Sequence, residues 1–497
     1  MPVFVGCDLG TLGTKAAVVD EQGAILGEAF EEVQLRYPRP GLVEQDLNDI
    51  EGSAQRTIAA ALTAAGNVGR TDGVAFSGQM AGIAAVTADF TPATHYDSWL
   101  DTRCADEILS MGRHAARVVE LSGCPPTYSH GPKILWWQRH RPDRFADIAR
   151  FVVPSAYVAG RMTGLPGADA YVDDTHLHFS NLADTARGRW SAELVDLFGA
   201  DAEKLPRVVA PTSVIGEVTS KAAAATGLTP GTPVAAGAGD TAAAALGAGV
   251  VHPGQAFDLA GTASVFGVCV DGFHPDTEHH TMMTMRSVVP GSFVALAFIN
   301  GGGLALRWFR DEVAAAGGAV PAYADLDDRA EQVAAGADGL LWYPHVQGRV
   351  LPPEPNVRGA WIGLTSGHTT AHLYRALLEG VAYEYAAWAR LVKESTGSPV
   401  TEARAVGGGA RSGLWNRIKA DVVNATWRPA RRQECGVLGD ALIAAAATGH
   451  VTDIGRTAQE WQSTGAPVRP DPANARVYAQ GLDTYRLLAE RLRPVFG

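Results

Sequence analysis

An aspartate that ends an apolar run and is followed by a glycine–threonine turn can handle phosphate. The chain opens with one: Asp8-Leu9-Gly10-Thr11-Leu12-Gly13-Thr14-Lys15. The glycine lets backbone approach a phosphate closely, and the threonine and adjacent N–H groups donate to its oxygens. The acid can hold Mg²⁺ through water, and Lys15 can neutralise a terminal phosphate. A hairpin acid with no ligand is the other reading of Asp8. A second acid, Asp240, stands in "AAGAGDTAAAALGAG" (235–249), where small neighbours leave room for a ligand and little for the acid to pair with. It reads as a catalytic aspartate, as the N-cap of the alanine-rich helix that follows, or as both. Three glycines in "AVGGGARSGLWN" (405–416) fall between a strand-like and a helix-like run. They admit a flat base or a phosphate beside a helix N-terminus, or form a flexible turn. The spacing is neither the dinucleotide GxGxxG nor a Walker A loop. A polar turn, Ser77-Gly78-Gln79-Met80-Ala81-Gly82, interrupts two apolar runs in "GVAFSGQMAGIAAV". It is longer than a hairpin needs and carries side chains able to touch a small molecule.

The elements that position these groups follow from periodicity. Residues 3–30 read as strand, hairpin, strand, hairpin, strand, with turns at Gly10 and at Glu21-Gln22-Gly23. A helix is predicted from Asp46 to about Ala65, ahead of the strand "GVAFSG". Strand–helix alternation gives an α/β class. "GQAFDLAGTASVFGVCVDG" (254–272) repeats the opening pattern, with Asp258-Leu259-Ala260-Gly261-Thr262 opposite Asp8-Leu9-Gly10-Thr11. Two related halves are therefore expected, with the crossover between Pro230 and Gly249. Leu373, Leu377, Val381 and Tyr385 recur at helical spacing in a long amphipathic segment, and "LGDALIAAAATG" reads as a helix ended by glycine. No low-complexity linker separates the halves, so they should pack around a shared cleft.

At 497 residues the chain exceeds a single hydrophobic core. A net charge of −12 argues against a general nucleic-acid binder. Five cysteines with no CxxC pair exclude a disulfide framework and a zinc cluster. The absence of a signal-peptide pattern and of a membrane-helix run predicts a cytoplasmic protein without a membrane partner.

Taken in order along the chain, these motifs resemble the FGGY family of carbohydrate kinases in the actin-like ATPase superfamily, and within it the xylulokinase branch. The first phosphate motif is Asp8 to Lys15. One family signature is similar to "GPKILWWQRH" (131–140), with Lys133 and Trp136 in place. Another is similar to "GAWIGLTSGHTTAHLYRALLEG", with Gly363, His372, Ala376 and Glu379. "GAGDTAAAA" matches the catalytic segment, "AGTAS" the second phosphate motif, and Gly407 to Ser412 with Trp415 the adenine loop. The resemblance implies two RNase H-like domains flanking a deep cleft. It divides the chain into 1–247, carrying sugar and the first phosphate motif, and 248–497, carrying ATP. The last helix has the option of packing back on the first domain. It implies Mg²⁺-ATP, with Asp240 as base for the sugar hydroxyl and Asp8 and Asp240 holding the metal through water. Gly10, Thr11, Thr14 and Lys15 would border the transferred phosphate, with Gly261 and Thr262 on the opposite wall. Gly408, Gly409, Ala410, Ser412 and Asn416 would line the adenosine site. Gln79, Met80 and Ala81, with Trp99, Asp101 and Arg103, would meet the sugar. A homodimer is the assembly the family suggests.

Departures fall in the phosphate loop as well as on the sugar side. Leu12 replaces a hydroxyl residue, Gly348-Arg349-Val350 replaces Gly-Glu-Arg, and Ala81 stands where a histidine is expected. Trp99-Leu100-Asp101-Thr102-Arg103 keeps the Trp, Asp and Arg of its segment but not the Asn. The expected substrate is D-xylulose or a related ketopentose. The alternatives are L-xylulose, ribulose, a polyol such as erythritol, or gluconate. A sugar-independent actin-like ATPase is the reading from another class. "DDTHLHFSN" (173–181) is expected to be a loop at the cleft mouth rather than a metal site, and Trp136-Trp137 to be core.

Overall fold

The structure, a computed structural model, describes residues 1–66 and 68–496. Strands β1 (Val3–Leu9), β2 (Gly13–Asp20) and β3 (Ile25–Glu32) form an antiparallel meander. Helix α1 (Leu47–Ala65) starts at Asp46, whose carboxylate accepts from the Asn48 N–H, and buries Leu47, Ile50, Ala54, Ile58 and Ala61. It returns the chain to β4 (Gly73–Gly78), which runs parallel to β1. After a long excursion of small helices, β5 (Val214–Glu217), β6 (Pro233–Ala235) and β7 (Ala238–Gly239) complete the sheet. Its order is β5-β6-β4-β1-β2-β3, with β7 also paired to β4. Helix α2 (Asp240–Gly247) leaves from β7.

The second half repeats the plan. Strands β8 (Gln255–Ala260), β9 (Ser264–Val270), β10 (Met283–Arg286) and β11 (Phe293–Ile299) form the antiparallel part. Helix α3 (Thr370–Thr396) precedes β12 (Glu402–Val406), and α4 (Gly413–Val423) precedes β13 (Thr426–Pro429). The order is β10-β11-β9-β8-β12-β13, with β12 parallel to β8 as β4 is to β1. The predicted α/β class and paired halves are present: two RNase H-like domains flank the cleft.

Helix α5 (Cys435–Ala447) joins them. Although it follows β13 in sequence, it packs on β1, β4 and α2 of the first half. A shared apolar core mixes Phe4, Ala75 and Ala243 with Phe257, Leu438 and Ala441. The α2–α5 approach is backbone-close: a Cβ on Gly439 would lie 2.0 Å from the Ala243 carbonyl oxygen. The final helix, α6 (Pro472–Phe496), corrects the expectation that it returns to the first domain. It lies on α3 and α4, where Tyr478 and Tyr485 each donate to a buried α3 carboxylate, Glu379 and Glu384, at 2.7 Å. Among the described residues no helix is long and apolar enough to cross a membrane.

Candidate active site

Register brings the acids together. Asp8 pairs with Ser77 across the parallel β1–β4 ladder, and Ala238-Gly239 pair with Ser77-Gly78. Asp8, Gln79 and Asp240 therefore emerge at the same carboxyl ends of adjacent parallel strands, where open α/β sheets place their ligands. Asp8 and Asp240 keep part of their surface open. Burial and the Asp240 charge push the Asp8 carboxyl up to about 7, against the opposing pull of Ser77 and Lys15. Burial also raises Asp240, while hydrogen bonds from Thr241 pull it down. The N-cap of α2 is Gly239 and Asp240 is the first helical residue, so the capping role read from sequence does not apply. Its carboxylate instead accepts from the N–H and hydroxyl of Thr241.

A third acid arrives from the second half. Asp440 on α5 has no solvent exposure, and Ser77 Oγ lies 2.8 Å from its Oδ2 and 3.2 Å from Asp8 Oδ1. Burial and the Asp8 charge push the Asp440 carboxyl far above the usual carboxylate range, and its Oδ1 has no partner. Ser77 is thus a strand residue bridging two acids, and the turn proper begins at Gln79.

In that turn the Gln79 amide donates to Gln45 Oε1 at 2.7 Å, leaving its own Oε1 buried and unpartnered. The Met80 thioether covers Gly239, where an added Cβ would come within 2.5 Å of it. Ala81 adopts φ +65°, in the left-handed region that side chains rarely enter. Gly82 admits no side chain, because a Cβ would meet the Tyr96 hydroxyl at 2.1 Å. Trp99, partly exposed, donates from Nε1 to the Thr11 hydroxyl at 3.0 Å and ties its segment to the Gly10–Leu12 turn.

Asp101 and Arg103 lie beneath this surface. Asp101 is fully buried and accepts from the Val43 N–H and from Arg103. Arg103 also contacts Glu44 and Asp97 and sits 5.0 Å from the Trp136 ring centre. Trp137 donates to Asp97, which places this pair in the packing as expected. The structure brings Asp101 and Arg103 under the turn and leaves neither free for a ligand. Thr14 is likewise buried: strand alternation turns Gly13 and Lys15 outward and Thr14 inward.

On the opposite wall, Gly261 and Thr262 are exposed at the β8–β9 turn. The glycine loop runs from Gly407, at φ +83°, whose N–H donates to Gln433 Oε1. A Cβ on Gly409 would strike Ala260 and Trp415, whereas Gly408 faces open space. Ser412 caps α4 by accepting from the Trp415 N–H and donates to Asp327. Asn416 is buried and clamps the loop by donating to the Ala410 carbonyl. Lys15 is ion-paired to Glu434, so it reaches from the first half to the segment leading into α5.

Sequence reasoning missed Asp440, Ser77 as a bridge, and His176. The 173–181 segment is not a loop at the cleft mouth: Asp173, His176 and His178 are fully buried on a short helical turn. The readable signals were an acid inside the apolar helix "VLGDALIAAAA" and the one-turn spacing of Asp173 and His176.

Comparison with known proteins shows the family. Residues 3–247 match the N-terminal domain, and residues 259–448 the C-terminal domain, of the FGGY family of carbohydrate kinases. The chain is 28% identical to a xylulose kinase of Bacillus subtilis over 98% of its own length and 96% of the relative's. It is 26% identical to a gluconokinase of the same organism, over 90% and 88% of the two chains. The crystal structure of a xylulose kinase from Rhodospirillum rubrum superposes with a TM-score of 0.88 at 28% identity, over 99% of each chain. With both domains matched in order over most of its length, the chain belongs to the FGGY family of carbohydrate kinases.

Proposed function

We propose that this ATP-dependent sugar phosphotransferase acts on D-xylulose or a related ketopentose, with Asp240 as the base. The observation that carries the reading is the convergence of Asp8 and Asp240 beside the Gln79–Ala81 turn. Asp240 accepts the proton of the sugar hydroxyl, and burial makes it a stronger base than a solvated aspartate. The sugar oxygen bonds to the γ-phosphorus as the bond to ADP breaks, with the electron pair leaving on ADP. Such a transfer is loose, so positioning and charge neutralisation do most of the work. Thr11, Lys15 and Thr262 border the phosphates, and the Gly408–Ser412 loop takes the adenosine, with Asn416 holding the loop's shape. Gln79 and Met80 meet the sugar. Asp101 and Arg103 support the turn from below.

The donor set fits Mg²⁺. The Asp240 charge raises the cost of ionising Asp8, which a bound divalent cation would relieve. No group of three or more His, Cys, Asp or Glu side chains among the described residues forms a metal cage. That suits an ion held by one or two carboxylates, water and nucleotide phosphates. When bound, the ion would neutralise charge on the transferring phosphate.

The test is ATP turnover without sugar and with D-xylulose, L-xylulose, D-ribulose, erythritol and gluconate. Stimulation by D-xylulose or another ketopentose above the rest is expected. Equal turnover without sugar overturns the reading, and preference for gluconate overturns the substrate assignment.

A further inference from the structure

His176 has a fixed place beside the base and an unused ring nitrogen. Its side chain has no solvent exposure, and Nδ1 lies 2.7 Å from Asp173 Oδ2. That carboxylate accepts a hydrogen bond from Nδ1–H, and in this tautomer Nε2 is an acceptor. Nε2 is buried and meets no protein partner. Leaving such a group unpaired is costly, which points to a ligand that completes it.

The turn that carries His176 is stapled to the strand that presents Asp240. Asp173 caps it by accepting from the Thr175 N–H at 3.0 Å, and Thr175 Oγ1 accepts from the Gly239 N–H at 2.9 Å. Gly239 immediately precedes Asp240.

The neighbours give this wall one chemical character. His178 donates from Nδ1 to the Thr175 carbonyl, and its Nε2 is a second buried acceptor without a partner. Burial depresses His178 to about 3, so it stays neutral. His130, with its ring centre 5.9 Å from that of His176, is depressed in the same way. The nearby cations are engaged elsewhere: Lys133 donates to the Tyr128 carbonyl at 2.6 Å, and Arg103 is held by three carboxylates. Acceptors beside a carboxylate favour a ligand rich in hydroxyl donors and disfavour one that brings a carboxylate.

We propose that His176, oriented by Asp173, is a substrate-recognition residue whose Nε2 accepts from a sugar hydroxyl near the one Asp240 deprotonates, selecting a neutral polyhydroxylated sugar over an aldonate. This deepens the sugar-kinase reading and rests on it. Steady-state kinetics with D-xylulose, its single-deoxy analogues and gluconate would test it, in the wild type, His176→Phe, His176→Asn and Asp173→Asn. The His176 variants should raise KM for D-xylulose by about 10- to 100-fold, the scale of one lost buried hydrogen bond, with KM for ATP unchanged. The wild type should discriminate against one deoxy analogue, and both His176 variants should lose that discrimination. Asp173→Asn should show a smaller loss of the same kind. His176→Asn keeps a polar group too short to reach, so the test survives if the phenylalanine variant fails to fold. Unchanged discrimination in the His176 variants, or equal rises in KM for sugar and ATP, would overturn the proposal. A wild type without sugar-stimulated turnover would overturn the kinase reading itself, a distinct result.

Discussion

Asp8 and Asp258 lie near the ends of β1 and β8, the first strands of the two halves, but on opposite sheet faces, and their surroundings differ accordingly. Asp8 opens to the cleft beside Asp240. Asp258 is sealed, with Lys419 Nζ 2.6 Å from its Oδ2 and further hydrogen bonds from Tyr385 and Trp427. The same strand–acid–turn pattern thus opens to the cleft in one half and is sealed by packing in the other.

Breaking the sealed pair should cost stability. Lys419→Met leaves Asp258 as an uncompensated buried charge, which typically costs about 3–5 kcal/mol. Chemical denaturation should show a loss of that order, and a loss below about 1 kcal/mol would contradict the assignment.

The open acid should appear in pH dependence. The Asp8 carboxyl is raised from 3.8 to about 7 in the folded chain. Between those values the native state holds a proton that the unfolded chain has released. Its stabilising contribution is therefore fully present below about 3.8 and lost as pH rises through about 7. Mg²⁺ binding needs the carboxylate, so Mg²⁺ affinity should climb with pH up to about 7 and then level off. Asp240→Asn removes the neighbouring charge and should move that rise to lower pH. Calorimetric titration of Mg²⁺ with a non-hydrolysable ATP analogue, repeated across pH, would measure both, and a flat profile would refute the coupling.

The helix crossing between the halves should be intolerant of bulk. At Gly439 an added methyl would press on the Ala243 carbonyl from 2.0 Å. Gly439→Ala should destabilise by about 1–3 kcal/mol through overpacking, read as a lowered Tm. An unchanged Tm would show that α2 and α5 separate freely.

The sugar turn offers a gain-of-contact experiment. Ala81 already sits at φ +65°, a conformation histidine tolerates better than most residues. Ala81→His should fold normally and change KM for sugars at least several-fold while leaving KM for ATP near its original value. Equal effects on both substrates would place residue 81 away from the sugar.

Much of this site could be read along the chain because strand ends, glycine turns and helix starts are local. Asp8, Asp240 and the Gly407–Gly409 loop were found that way, as was α1 from Asp46. What escaped depends on contacts across hundreds of residues. Asp440 reaches Ser77 only because α5 crosses to the first sheet, and a sequence window around it shows one acid among alanines. The burial of Asp101, Arg103 and Thr14 depends on side-chain direction and on ion-pair partners from other segments. The burial of His176 depends on a staple to Gly239. Its polar composition alone reads as surface.

If Asp240 takes the proton of a sugar hydroxyl during phosphoryl transfer, its amide variant loses sugar-dependent turnover. ATP turnover by wild type and Asp240→Asn, each with and without D-xylulose, tests it most directly once both proteins show the same folded state by circular dichroism. Sugar-stimulated turnover is expected in the wild type, with at least about 100-fold less in Asp240→Asn, the scale of general-base catalysis. Near-normal sugar-dependent turnover in a correctly folded Asp240→Asn would contradict it.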